Sequence, residues 1–201
     1  MSISNAETAN AESVEVGDRI LDAAASCVRD FGVDRVTLAE IARRAGVSRP
    51  TVYRRWPDSQ AILASLLSSR VIRTCSDAPT RGEGRTALVK RTVAVVRRLR
   101  DDDLILTVLR AAPELAMVYI ADRLGTSQQV MIDVLAEEIR KGQRDKSIRR
   151  GDSRRLAATV LLIAQSVVQS GQIVAPILDA RELDIELSHA LNGYLTRSPH
   201  E

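Results

Sequence analysis

Aromatic side chains are scarce in this chain, with one Trp, one Phe and three Tyr among 201 residues. Because 45% of the residues are nonetheless hydrophobic, the core must be built from Leu, Ile, Val and Ala. That composition suits closely packed helices. Cysteine is equally sparse. Cys27 and Cys75 lie far apart, in apolar helical patterns and outside any CxxC or metal-spaced set. They read as small core hydrophobes in a reducing compartment. Of the two histidines, His200 is terminal and His189 has no Cys or His companion. Glu137 and Glu138 are adjacent on a helix and face different directions, a poor arrangement for paired acid and base. No GxSxG, HExxH, GxGxxG or Walker segment occurs. The expectation is therefore no enzyme, no metal and no cofactor. Nor does the N-terminus show a basic region followed by an apolar run. The longest apolar stretch, Ala157 to Ala164, is much too short to span a bilayer. A soluble cytoplasmic protein is expected.

What the chain does have is an uneven charge distribution. The net charge is only +3, yet residues 1–18 carry Glu7, Glu12, Glu15 and Asp18 with no basic residue, while Arg43, Arg44, Arg49, Arg54 and Arg55 crowd one short window. A local basic face is what phosphate recognition requires. Residues 1–14 lack periodicity and read as a flexible N-terminal arm. Helical order is expected from Val14 or Gly17, where Ile20, Leu21, Ala24, Ala25, Val28 and Phe31 form one stripe that Gly32 ends.

The segment TLAEIARRAGVSRPTVYRRW, Thr37 to Trp56, then predicts two short helices around a tight turn. Thr37 and Glu40 have capping-box spacing. Gly46 breaks the first helix, Ser48 caps the second, and Pro50 sits in a first turn whose N–H groups need no intrahelical partner. Ala42 permits close helix approach, and Val52 and Trp56 anchor the second helix. This is a helix-turn-helix, with Arg49, Pro50, Thr51, Tyr53, Arg54 and Arg55 around the surface that would meet a duplex. Arg49 can donate two hydrogen bonds to guanine O6 and N7. Pro50 and the Thr51 methyl can meet a thymine methyl, and the Thr51 and Tyr53 hydroxyls can bond phosphate. Thr37, at a helix N-terminus, and Arg44, on the flank of the supporting helix, are further phosphate candidates.

The stretch TLAEIARRAGVSRPTVYRRWPDSQAIL resembles the N-terminal signature of the TetR family of transcriptional regulators. The likeness rests on Thr37, Ile41, Ala42, Ala45-Gly46-Val47-Ser48, Thr51, Tyr53, Trp56 and Leu63. It implies an all-α protein: an N-terminal three-helix DNA-binding domain (residues 15–60) and a helical effector-binding and dimerisation domain (residues 61–201). It also implies a homodimer on a palindromic operator, with DNA affinity controlled by a small molecule. One departure is Ser59, where the family commonly has a phosphate-touching lysine; a serine there keeps one hydrogen bond without the ionic term.

Beyond the turn-rich SDAPTRGEG, helices are expected over residues 85–99, 103–111, 113–141, 156–170 and 180–195, with no strand-like alternation. Leu156, Val160, Ala164 and Val167, with Leu183, Leu187 and Leu191, form apolar stripes that serve equally inside a monomer or between subunits; the resemblance favours the dimer interface. By the same resemblance, Leu88, Val95, Leu99, Leu106, Leu109, Met117, Tyr119, Met131, Val134 and Ile163 are candidates to line an effector cavity for an apolar or amphipathic molecule. Two other readings are carried: a transcriptional activator of the same fold, and a non-enzymatic helical protein-interaction module whose arginines take an acidic partner.

Overall fold

A computed structural model describes residues 3–79, 81–112 and 126–197. Its regular structure is helical: α1 (Ile3–Phe31), α2 (Leu38–Ala45), α3 (Arg49–Tyr53), α4 (Ser59–Ser76), α5 (Gly84–Arg100), α6 (Asp103–Ala111), α7 (Thr126–Arg144), α8 (Ser153–Ser170) and α9 (Ala180–Leu195). A single 3-10 turn, Val33–Arg35, joins α1 to the segment before α2. The helix expected over residues 113–141 is described only from Thr126, and Met117 and Tyr119 lie outside the described residues. No described helix is long and apolar enough to cross a membrane.

Helix α1 starts well before the apolar stripe that marks it in the sequence. Ala6, Glu7, Ala9, Ala11 and Glu12 are good helix formers, so the backbone continues as helix through the stretch expected to be an arm.

The described residues fall into two compact units, one within Met1–Arg70 and Asp103–Asp122, the other within Val71–Asp102 and Arg123–Glu201. The division differs from a boundary after residue 60, and the cause is hydrophobic. Leu104, Ile105 and Val108 are buried on α6, and α6 packs against α1 and the 3-10 turn. In the same unit, Ile20, Ala24, Cys27 and Val28 of α1, Ile41 and Ala42 of α2, Val52 of α3 and Ile62 and Leu63 of α4 are buried.

The second unit has a core of aliphatic residues from four helices: Leu88, Val89 and Val96 of α5, Ile132, Ala136 and Ile139 of α7, Leu156, Ala157, Val160 and Leu161 of α8, and Leu187, Leu191 and Leu195 of α9. Caps fix where the last two helices begin. Asp152 accepts from the Arg155 N–H at 2.8 Å. Asp179 and Glu182 form a reciprocal capping box, each carboxylate accepting from the other residue's backbone N–H at 2.8 Å. Truncating the fully buried Leu191 to Ala should cost about 2–5 kcal/mol of stability, read from the denaturant midpoint. A midpoint equal to the wild type would mean that α9 does not close this core.

Candidate DNA-binding site

The reading element is assembled from short-range hydrogen bonds and a few anchors. The Thr37 side chain accepts from the Glu40 N–H at 3.2 Å and starts α2. Gly46 ends it in the left-handed region (φ 65°, ψ 33°), and the Val47 N–H donates to Ala42 O at 3.1 Å. A side chain at that φ would be strained, so glycine suits the turn. The Ser48 hydroxyl accepts from the Thr51 N–H at 3.3 Å and pairs with the Thr51 hydroxyl at 2.7 Å. The Thr51 oxygen is thus partly engaged in the cap, leaving its methyl as the more available group.

Within α3 only Val52 is buried. Arg49, Pro50 and Tyr53 are exposed, as are Arg54 and Arg55 just beyond, and Thr51 is half-buried. The anchor at the far end is Trp56, whose Nε1–H donates to Ser65 Oγ at 2.8 Å. Ser65 in turn donates to Ala61 O at 3.0 Å. Asp58 caps α4 by accepting from the Ala61 N–H at 2.7 Å, which places the half-buried Ser59 at the first position of that helix.

The five arginines of this window do different jobs. Among the described residues, the guanidinium groups of Arg49 and Arg54 have no hydrogen-bond or ion-pair partner. Arg44 is held inside the protein. Its Nε donates to Glu40 Oε1 at 2.9 Å, its Nη1 donates to Ser26 Oγ at 2.8 Å and also to Asp30, and its guanidinium lies over the Phe31 ring at 4.7 Å. Arg44 therefore ties α2 to α1, and the phosphate role read from its sequence position does not match this placement. Arg43 pairs with Glu40 through Nε at 2.8 Å and Nη2 at 2.6 Å. The expected capping box is consequently half-formed. Glu40 gives its carboxylate to two guanidinium groups three and four residues on, whose full positive charge adds an attraction that a neutral backbone N–H lacks. Arg55 reaches back to α1, its Nη2 donating to Ser13 O at 2.8 Å and Ser13 Oγ at 2.7 Å. Ser13, Ser26, Asp30 and Phe31 carry no sequence signal of these roles, since partners 13 to 42 residues away leave no local pattern.

Electrostatics follow the contacts. Hydrogen bonds from Arg43 and then Arg44 hold the Glu40 carboxyl down to about 2. The bonds to Asp30 and Glu40 push Arg44 up. Burial raises the Cys27 thiol, which lies in the same α1–α2 region.

In the second unit, Leu156, Val160, Leu183, Leu187 and Leu191 are buried in the chain's own fold, and Ala164 and Val167 pack half-buried against the core. The five leucine and valine positions are thus buried within this chain, while Ala164 and Val167 keep part of their surface. Large apolar residues left exposed in this unit include Ile72 of α4, Val130 and Val134 of α7, Leu162 of α8, Ile185 of α9, and Ile173 and Ile177 between the last two helices. The cavity candidates also divide. Leu88, Met131 and Ile163 meet in the core cluster. Leu99 is buried and Val95 half-buried on α5, whereas Leu106 and Leu109 are half-buried on α6 in the first unit. Val134 is 53% exposed, so it does not line an interior.

A buried support helix, a glycine turn and a short helix showing Arg49, Pro50, Tyr53 and Arg54 to solvent define a helix-turn-helix DNA-binding protein. Residues 20–66 match the family model for bacterial regulatory proteins of the tetR family. An HTH-type transcriptional regulator of Mycobacterium tuberculosis is 61% identical over 184 residues, covering 92% of this chain and 96% of that protein. The structure of the TetR-family repressor QsdR from R. erythropolis superposes with a TM-score of 0.67 at 18% identity, over 92% of this chain and 98% of that one. That of Thermus thermophilus FadR, a TetR-family repressor in complex with lauroyl-CoA, gives 0.65 at 21% identity, over 89% and 92%. The chain belongs to the TetR family of transcriptional regulators.

The Glu40 contacts generate a pH prediction. A carboxyl held at about 2 in the folded state, against an ordinary 4.5, favours folding above pH 4.5. That contribution is lost as pH falls toward 2. Glu40→Gln should flatten the loss of stability across this window in acid-denaturation curves; parallel curves for variant and wild type would remove the network from the account.

Proposed function

We propose that this protein is a ligand-responsive repressor that acts as a homodimer on a roughly two-fold symmetric operator. The observation that carries the DNA side is the exposed row Arg49, Pro50, Tyr53 and Arg54, with Thr51 half-buried among them, on a helix whose one buried residue, Val52, fixes its rotation. Arg49, at the N-terminal end, is positioned to read a guanine edge. Pro50 and the Thr51 methyl meet a thymine methyl. Tyr53 and Arg54 bond phosphates, and the N-termini of α2 at Thr37 and α4 at Ser59 add backbone N–H groups to the same backbone contact. Arg55 belongs to this surface once it leaves Ser13.

Dimerisation follows from specificity, since one five-residue helix covers too few base pairs alone and a two-fold pair reads two half-sites. The exposed Leu162 and Ile185, with Ile173 and Ile177, supply the apolar face that a second copy would cover. The buried Leu156, Val160, Leu183, Leu187 and Leu191, and the half-buried Ala164 and Val167, support that face from behind.

The effector we infer is apolar or amphipathic, received among the aliphatic side chains of the second unit around Leu88, Met131 and Ile163. The lauroyl-CoA bound to the Thermus FadR is a molecule of that kind. Control is then linkage: a ligand that favours a dimer geometry with the wrong half-site spacing lowers DNA affinity, and DNA lowers ligand affinity by the same factor. Helix α4, whose residues fall in both units, is the segment through which such a change passes.

The test begins with selection of bound fragments from random and genomic duplex DNA by the purified protein at fixed salt. A recurring symmetric site is expected, and enrichment without a motif would reduce the reading to non-specific attraction. On that site Arg49→Ala should cost about 1–3 kcal/mol and relax preference at one base position in each half-site. Full affinity with unchanged preference would dismiss the assigned surface. Leu162→Glu combined with Ile185→Glu should yield folded monomers in sedimentation, whereas dimers that persist would place the interface elsewhere.

A further inference from the structure

We propose that the N-terminal part of α1 is an intramolecular brake on DNA binding, in which Ser13 holds Arg55 in competition with operator phosphate. The inference rests on the DNA-reading function above and adds a regulatory contact to it. Three observations meet at this contact.

Arg55 follows directly on Arg54 at the end of the recognition helix and is exposed, yet its Nη2 donates to both the carbonyl and the hydroxyl of Ser13, 42 residues earlier. A helical carbonyl has a second lone pair beyond its helix bond, so Ser13 can receive the guanidinium without breaking α1. One turn on, Gly17 leaves space for this approach: a Cβ there would stand 3.1 Å from Arg55 Nη1. The guanidinium is thus seated against α1 by a serine and a glycine at i and i+4. The third observation is charge. Residues 1–18 carry Glu7, Glu12, Glu15 and Asp18 and no base. This stretch brings no cation to a phosphate backbone, and its field opposes the approach of one. Both effects act in one direction, occupying a DNA-side cation and repelling the polyanion.

The Ser13–Arg55 pair is exposed, so exchange of Arg55 between Ser13 and a phosphate is inexpensive, and the brake is a modest one. Each further phosphate neutralised adds roughly 0.9 to the slope of log affinity against log salt. Releasing Arg55 should therefore tighten operator binding about threefold to tenfold per half-site near physiological salt, and steepen the slope by about 0.9 per half-site, about 1.8 for the dimer.

Gly17→Ala is the decisive variant. It leaves every charge in place, crowds the guanidinium by setting a methyl 3.1 Å from Arg55 Nη1, and favours helix, so a weakened fold does not produce its effect. Operator affinity and salt slope are measured for the full-length protein carrying Gly17→Ala, Arg55→Ala, or both, with Arg49→Ala as the control for the reading surface. The proposal expects tighter binding and a steeper slope for Gly17→Ala, weaker binding and a shallower slope for Arg55→Ala, and no effect of Gly17→Ala once Arg55 is gone. If Gly17→Ala leaves affinity and slope unchanged or lowers them while Arg49→Ala still loses the operator, the brake is refuted and DNA reading stands. If the wild type selects no operator and Arg49→Ala changes nothing, DNA reading falls and the brake falls with it.

Discussion

A helix of five residues does not hold its shape in water, because nucleation costs more than so few hydrogen bonds return. Everything this protein can do with DNA depends on external restraint of α3, which spans only Arg49–Tyr53. The restraint comes from both ends and from below. Ser48 and Gly46 fix the entry, Val52 drives the inner face into the core, and Trp56 clamps the exit to α4 through Ser65. The supporting helix needs restraint of its own, and Arg44 provides it by bonding to Glu40, Ser26 and Asp30 and lying over Phe31. The proposed DNA surface is therefore as well placed as these anchors are rigid.

Much of this unit is legible in the residues because its determinants are local. Thr37 and Ser48 as caps, Gly46 as the break, and Val52 with Trp56 as inner anchors are set by neighbours within four positions, the range over which helix periodicity and capping operate. The division of labour among the arginines is not legible. Arg44 and Arg49 stand five residues apart with the same side chain, yet one is captured by α1 and the other is open. What separates them is the position of Ser26, Asp30 and Phe31 on a helix packed from afar. The Glu40 capping box departs from its spacing for a related reason: a carboxylate there can reach back to the Thr37 N–H, but two guanidinium groups on the same helix displace that donor.

The second unit shows the limit of apolar periodicity more plainly. A stripe such as Leu156, Val160, Ala164 and Val167 states only that one face of α8 avoids water. It does not state whether the cover is α5, α7 and α9 of the same chain or a second copy. In the structure the same chain buries Leu156 and Val160 and leaves Ala164 and Val167 half-buried. The informative residues are then the ones that break the pattern: Leu162, Ile173, Ile177 and Ile185 are apolar, large and uncovered. A single exposed leucine needs no explanation. The exposed aliphatics on α8, α9 and their connector are the ones the proposed second copy would cover.

Charge follows the same logic of placement over composition. A net charge of +3 across 201 residues is too small to predict a DNA-binding protein, and a count of arginines between residues 43 and 55 overstates the case. Arg43 and Arg44 are balanced by Glu40 and Asp30, which leaves Arg49 and Arg54 as the cations open to solvent at the end of a held helix. In the proposed dimer, two open charges per subunit would bring four charges to DNA, beside several hydrogen-bonding groups. That number favours a reader whose binding depends on placement of its contacts over one held by bulk attraction, because non-specific affinity grows with every phosphate neutralised. Pairing Arg43 and Arg44 with Glu40 and Asp30 would thus serve specificity as well as packing in the proposed reader.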